Sequence, residues 1–163
     1  MKQILSMAAV FAVALAFPAL AQNASQIASA QRGANCAGCN LFQADLQGKT
    51  LKSRNFSHAR LRQADLSLGI FNGSNFSGTD MRDVNAYGAL FSSASFAGAN
   101  LTNATFVGTY LQGANFSGAT LTGANFSGAE MDRARGLTQA RLDQACGDEA
   151  TRLPAGLRIP RCR

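Results

Sequence analysis

From Cys39 to Arg133 the sequence divides into blocks of five: CNLFQ, ADLQG, KTLKS, RNFSH, ARLRQ, ADLSL, GIFNG, SNFSG, TDMRD, VNAYG, ALFSS, ASFAG, ANLTN, ATFVG, TYLQG, ANFSG, ATLTG, ANFSG and AEMDR. These nineteen blocks follow one another without an insertion. The central residue is Leu, Phe or Met everywhere except Ala86, and the residue two before it is mostly Ala. A period of five matches neither the helix period of 3.6 nor the strand period of two. It demands a backbone that turns inward at a fixed interval. One large and one small side chain per block then fill a narrow core, and the other three positions face water. Glycine at the fifth position, as at Gly48, Gly73, Gly78, Gly98 and Gly108, suits a corner.

The periodicity alone gives a solenoid of short units. The blocks ADLQG, ADLSL, ANLTN and the twin ANFSG closely resemble the A(D/N)LXX pattern of the pentapeptide-repeat family. That resemblance implies an all-β solenoid, a right-handed quadrilateral β-helix with four blocks per coil, over residues 36–133. Residues twenty apart should then stack. Phe56, Phe76, Phe96 and Phe116 form one column, and Leu41, Leu61, Met81, Leu101 and Leu121 a second. Leu51, Phe71, Phe91, Leu111 and Met131 form the third, and Leu46, Leu66, Ala86, Phe106 and Phe126 the fourth. Two columns of uniform chemistry support a twenty-residue coil independently of the family.

Ahead of the repeat stand Lys2, an apolar run from Ile4 to Phe17, and Pro18–Ala19–Leu20–Ala21. This is the pattern of a secretory signal peptide, residues 1–21, cut after Ala21. The run falls short of the roughly 20 residues that span a bilayer. The expectation is a periplasmic or secreted protein, with residues 22–35 as a linker. After Arg133 the pattern fails, Gly136 standing where a large residue should. Residues 134–163 are expected to form a cap, with a short helix from Thr138 to about Cys146 stopped by Gly147. A Cys146–Cys162 disulfide would pin the tail.

In an oxidising compartment the even set Cys36, Cys39, Cys146 and Cys162 suggests disulfides first. Cys36–Ala37–Gly38–Cys39 also has the spacing of a thiol-disulfide oxidoreductase, but such a site asks for a helix start within a βαβ pattern, and here the repeat follows at once. Zinc would need two further nearby ligands, and a c-type haem a histidine where Asn40 stands. The expectation is a local Cys36–Cys39 bridge, or Cys39 packed in the core, with no cofactor and no metal.

Seven outward positions carry a large apolar side chain, and six of them, Leu68, Ile70, Tyr87, Leu90, Val107 and Tyr110, fall along one edge; Phe42 is the seventh. A ridge of this kind buries something. The candidates are the tail (Leu153, Leu157, Ile159) or the linker 22–35, a homodimer, or another protein. From Val84 to Ala129 there is no charged residue, whereas Lys49, Lys52, Arg54, Arg60 and Arg62 gather at the start of the repeat near His58. That basic end suits a solvated end that resists stacking, or a weak contact with an anionic surface. Lys49 and Arg54 occupy small inward positions, so the first coil should be irregular there. Some pentapeptide-repeat proteins are topoisomerase-binding DNA mimics. That role needs an acidic cytoplasmic rod, and this chain carries +6 and an export signal. The sequence therefore reads as a non-catalytic exported scaffold or interaction module with no specific nucleic-acid partner.

Overall fold

The computed structural model describes residues 23–163; the expected signal peptide, residues 1–21, lies outside them. Parallel bridges join residues twenty apart at every fifth position, from Asn40 with Arg60 to Asn115 with Arg135. The Leu46 N–H donates to the Asp65 carbonyl (2.7 Å) and the Asp65 N–H to the Ala44 carbonyl (2.9 Å), and this pattern recurs along the stack. Four blocks therefore complete one coil. Four sides follow, numbered by the central residues of the early coils: side one at Leu41 and Leu61, side two at Leu46 and Leu66, side three at Leu51 and Phe71, side four at Phe56 and Phe76.

Each corner is a tight turn. The Ala44 N–H donates to the Leu41 carbonyl at 3.0 Å, and the third residue of the turn, Gln43, has φ +54°. Positive φ recurs at every fifth residue from 43 to 128, as the third residue of a type II turn requires. The Asp or Asn that stands ahead of many central residues has its own task. Asp45, Asn55, Asp65 and Asn75 each accept the N–H two residues on, at 2.8–3.0 Å, an Asx turn that satisfies a donor the ladder leaves over.

Inside, the columns stack as the twenty-residue coil requires. Phe56, Phe76, Phe96 and Phe116 lie ring over ring, with centroids 5.2, 5.4 and 5.2 Å apart. Phe91 meets Phe76 and Phe96 edge-on, so two columns interlock. Each large side chain so buried contributes about 1.5–3 kcal/mol before chain entropy is counted. Ala86 keeps the volume because Val84 fills the adjacent small position, and both are buried. Gly69 is small for a stricter reason: a Cβ there would lie 2.4 Å from the Phe71 ring. Thr79 and Thr109 enter the core by donating their hydroxyls to the Phe76 and Phe106 carbonyls (2.6 and 2.7 Å).

The expectation of a linker over residues 22–35 is corrected where the structure describes it, from residue 23. A helix, α1 (Ala24–Gln31), begins at Asn23, whose Oδ1 accepts the Gln26 N–H. It closes the first coil. Gln26 Oε1 accepts the Asn40 N–H at 2.7 Å, Gln31 Nε2 donates to the Asp45 carbonyl at 2.8 Å, and Ala30 and Ile27 join the core. Residues 34–38, Ala-Asn-Cys-Ala-Gly, are themselves a block. The Cys36 N–H donates to the Asn55 carbonyl (2.7 Å), which sets Cys36 at the foot of the Phe56 column.

The other end is also shorter on helix than expected. α2 (Gln139–Leu142) has four residues, Thr138 makes no side-chain cap, and Gly147 is not its stop. The ladder takes the chain back instead: the Cys146 N–H donates to the Ala124 carbonyl and the Cys146 carbonyl accepts from Phe126. Gly147 pairs with Arg161. Gly136 marks the departure, because a Cβ there would lie 2.4 Å from the Ser117 nitrogen. Disulfides Cys36–Cys39 and Cys146–Cys162 stand at the two ends.

Candidate interaction surface

The six ridge residues come from three neighbouring outward columns at the corner between sides two and three. Tyr87 and Val107 follow the central residues of side two, Leu68 is the third residue of its turn, and Ile70, Leu90 and Tyr110 open side three. Ile70, Leu90 and Tyr110 bridge one another in sequence, so the structure brings all six together over three rungs. Leu68 and Tyr87 are 57% and 53% exposed, Leu90 and Tyr110 38% each, and Ile70 and Val107 are half-buried.

Two features set this corner apart from the rest of the frame. Ile70, Leu90 and Tyr110 stand in a column where the other sides mostly place Asn or Asp as the Asx acceptor; this side has none, with Thr50 and Glu130 filling the column beyond the ridge. The Ser92 N–H finds its acceptor on the previous coil instead, at Asn72 Oδ1 (2.8 Å). Leu68 has φ +57° at a corner column otherwise filled by Gly48, Gly88, Gly108 and Gly128. Among the eight described non-glycine residues with positive φ it is the one apolar side chain, and such a conformation costs about 1–2 kcal/mol. Its side chain lies over Gly88, where a Cβ would approach Leu68 Cδ2 to 3.0 Å.

No described segment of the chain covers the ridge. Leu153, Leu157 and Ile159 of the tail pack against the core at the C-terminal end, and Ile27 does so at the other. Both intramolecular covers considered from the sequence, the tail and residues 23–35, are therefore set elsewhere.

The basic residues do not form one patch. Lys49, Lys52 and Arg54 lie on side three and at its two corners, whereas Arg60 and Arg62 belong to side one, two blocks away in a four-block coil. Arg60 sits over the Phe42 ring (5.1 Å) and Arg62 pairs with Asp83 (3.5 Å). Lys49 and Arg54 are exposed, turned out of their small positions. The irregularity expected there is concentrated at Arg54. Its N–H donates to Ser74 Oγ (3.0 Å), and that hydroxyl donates to the Leu51 carbonyl (2.7 Å), so a serine from the next coil is inserted into the turn.

Elsewhere the polar groups serve the frame. Arg82 holds Asp80 through two hydrogen bonds (2.8 and 2.7 Å), which keeps the Asp80 carboxyl below the usual carboxylate range. At the C-terminal end a groove of about 490 Å³ is lined by Ser127, Gly147, Asp148, Glu149, Arg161 and Cys162. Its Asp148 is committed to the Gly128 and Ala150 N–H groups and the Thr151 hydroxyl, led by Gly128, and these hold its carboxyl low. The buried Cys36 is bonded to Cys39, and among the described residues no three His, Cys, Asp or Glu side chains gather as a metal site.

Two models of pentapeptide repeats match the chain, one over residues 34–73 and 99–135, the other over residues 71–114. The chain belongs to the pentapeptide-repeat family. The first model begins at Ala34, where the coil also begins. No curated protein matches the chain. Similar solved structures include a pentapeptide repeat protein from the thylakoid lumen of Arabidopsis thaliana, 31% identical over 55% of each chain, with a TM-score of 0.33. HetL, a pentapeptide repeat protein involved in heterocyst differentiation regulation in the cyanobacterium Nostoc, is 23% identical over 77% of this chain and 64% of its own, with a TM-score of 0.34. A trypsin-treated form of QnrB1, a plasmid-mediated fluoroquinolone resistance protein, is 28% identical over 66% and 65%, with a TM-score of 0.26. The matched parts span about half of the Arabidopsis protein and under two thirds of HetL.

Proposed function

We propose that this pentapeptide-repeat protein is a non-catalytic, exported interaction module, a right-handed four-sided β-helix that binds through the corner between sides two and three. One observation carries the reading: an exposed apolar ridge of six side chains at which the frame accepts a leucine at positive φ. Membership in a family of generally structural and binding proteins supports the non-catalytic part, and the commitment of all four cysteines to disulfides accords with it. The basic start and apolar run of residues 1–21 support export to the periplasm or beyond. The resistance role of QnrB1 is not carried over. A DNA mimic asks for an acidic surface, and this chain bears +6 with an uncharged stretch from Val84 to Ala129.

The test is a photo-crosslinking residue in place of Tyr87 in the exporting host, with the same residue in place of Ser117, exposed on side four, as the control. The expected result is a discrete adduct from position 87 and none from 117. Equal labelling at both, or none at either, overturns the reading.

A further inference from the structure

We infer that the ridge is an antiparallel homodimer interface, its occupant a second copy of this chain. The inference rests on the interaction-module reading above and names its partner. Three consecutive rungs are apolar: Leu68 with Ile70, Tyr87 with Leu90, Val107 with Tyr110. The rung below offers Gln47 and Thr50, and the rung above Ser127 and Glu130. The apolar strip is thus centred on Tyr87 and Leu90, with one apolar rung on either side and a polar rung beyond each.

That layout is self-complementary. A two-fold axis through the corner at the level of Tyr87 and Leu90, perpendicular to the stack, sets Leu90 against Tyr87 of the second copy. It sets Ile70 against Val107 of the second copy and Leu68 against Tyr110 of the second copy. Every apolar side chain then meets another, as an isologous contact requires. The uncharged stretch from Val84 to Ala129 offers no charge near the centre of the strip with which to select a charged partner.

Charge at the strip's ends selects the direction. Lys49 stands exposed at the lower end of this corner and Glu130 at the upper end. A parallel pair, with the two-fold along the stack, would bring Lys49 close to Lys49 of the second copy. The antiparallel pair brings Lys49 toward Glu130 of the second copy, twice over. Glu130 keeps a loose contact with Arg152 of its own chain (4.0 Å), and its side chain is 43% exposed, which leaves oxygen free for a second cation. Three rungs make a small interface by the standard of stable dimers, so association in about the micromolar range is expected.

The chain, expressed with its own N-terminal segment and purified as the host processes it with disulfides intact, is run in sedimentation velocity from about 1 µM to about 1 mM, a range that brackets weak association. The expected result is a reversible monomer–dimer equilibrium. Leu90→Asp should abolish the dimer, and Tyr87→Ser should weaken it without adding charge. Lys49→Glu and Glu130→Lys should each weaken it about tenfold, since two related pairs turn from attraction to repulsion. The double variant Lys49→Glu/Glu130→Lys should restore it. Circular dichroism melts confirm that each variant folds. A chain that stays monomeric throughout, or a dimer indifferent to both ridge variants, overturns the inference. Charge variants that fail to weaken and then rescue overturn the antiparallel register. A crosslink from position 87 to a protein of different mass, with the chain itself monomeric, would leave the interaction-module reading standing and remove the homodimer.

Discussion

The corner between sides two and three and the corner after side four share one backbone. Both turn with positive φ at every coil and both cover a stacked core column. Their outer surfaces are opposite in kind. After side four the turn positions are Ser57, His58, Ser77, Gly78, Ala97, Gly98, Ser117 and Gly118; between sides two and three stand Leu68, Tyr87 and Val107, with Ile70, Leu90 and Tyr110 beside them. The inner residues determine that the chain coils, and they leave the outward ones free. The small-residue corner shows what the frame does when nothing is asked of it. The ridge, with its apolar outward residues and its leucine at φ +57°, shows a local departure from that pattern.

The largest perturbation treats both corners alike. Phe96→Ala removes the third of the four stacked rings and should destabilise the fold by about 3–5 kcal/mol, read as a lowered thermal midpoint. A loss below about 1 kcal/mol would mean that the column is less continuous than the 5.2–5.4 Å spacings indicate. Leu68→Gly separates the corners. It places a glycine where the other coils have one, so it should stabilise the monomer by about 1 kcal/mol while weakening association. A melt that falls with the substitution would show that Leu68 is kept for packing on Gly88 rather than for contact outside the chain. The smallest effect comes from pH and touches neither corner. The Asp80 carboxyl is lowered by Arg82, so its contribution is fully present above the unfolded carboxylate value of about 4. It is lost as the pH falls through the lower folded value. The pair is partly exposed, and about 0.5 kcal/mol is expected, to be read from urea midpoints between pH 5 and 2 and abolished in Arg82→Ala.

Much of this was legible in the residues, because a period of five with large residues stacking at twenty admits few structures. The ridge was legible for the same reason: once the frame is known, an apolar residue at an outward position stands out. What failed lay where the frame stops. Residues 24–31, ASQIASAQ, contain Ile27 as their only large apolar side chain, so nothing in their pattern marks a helix. Its value lies in Gln26 and Gln31 each reaching a ladder group fourteen residues on. Cys36 hid the first block because cysteine replaced the expected Leu or Phe at its centre, although Ala34, Asn35 and Gly38 spelled the rest. The five basic residues are near in sequence, yet a coil that turns a corner every five residues sends neighbours to different sides. At the C-terminus, helix propensity from Thr138 onward yielded to the unpaired edge of the last coil, which recruits Cys146 and Arg152.

The bridging interval of twenty also governs how a gene for this protein can change length. Losing one block of five between Leu68 and Tyr87 would turn everything downstream by one side and split the ridge between two corners, though every core position would still be filled. Losing a whole coil of twenty would shorten the stack and leave its columns in line. Loss of a single residue would exchange inward and outward positions from there to the cap. Insertions and deletions are therefore sorted by size, with whole coils tolerated best, whole blocks preserving the fold but not the surface, and all other lengths disrupting both.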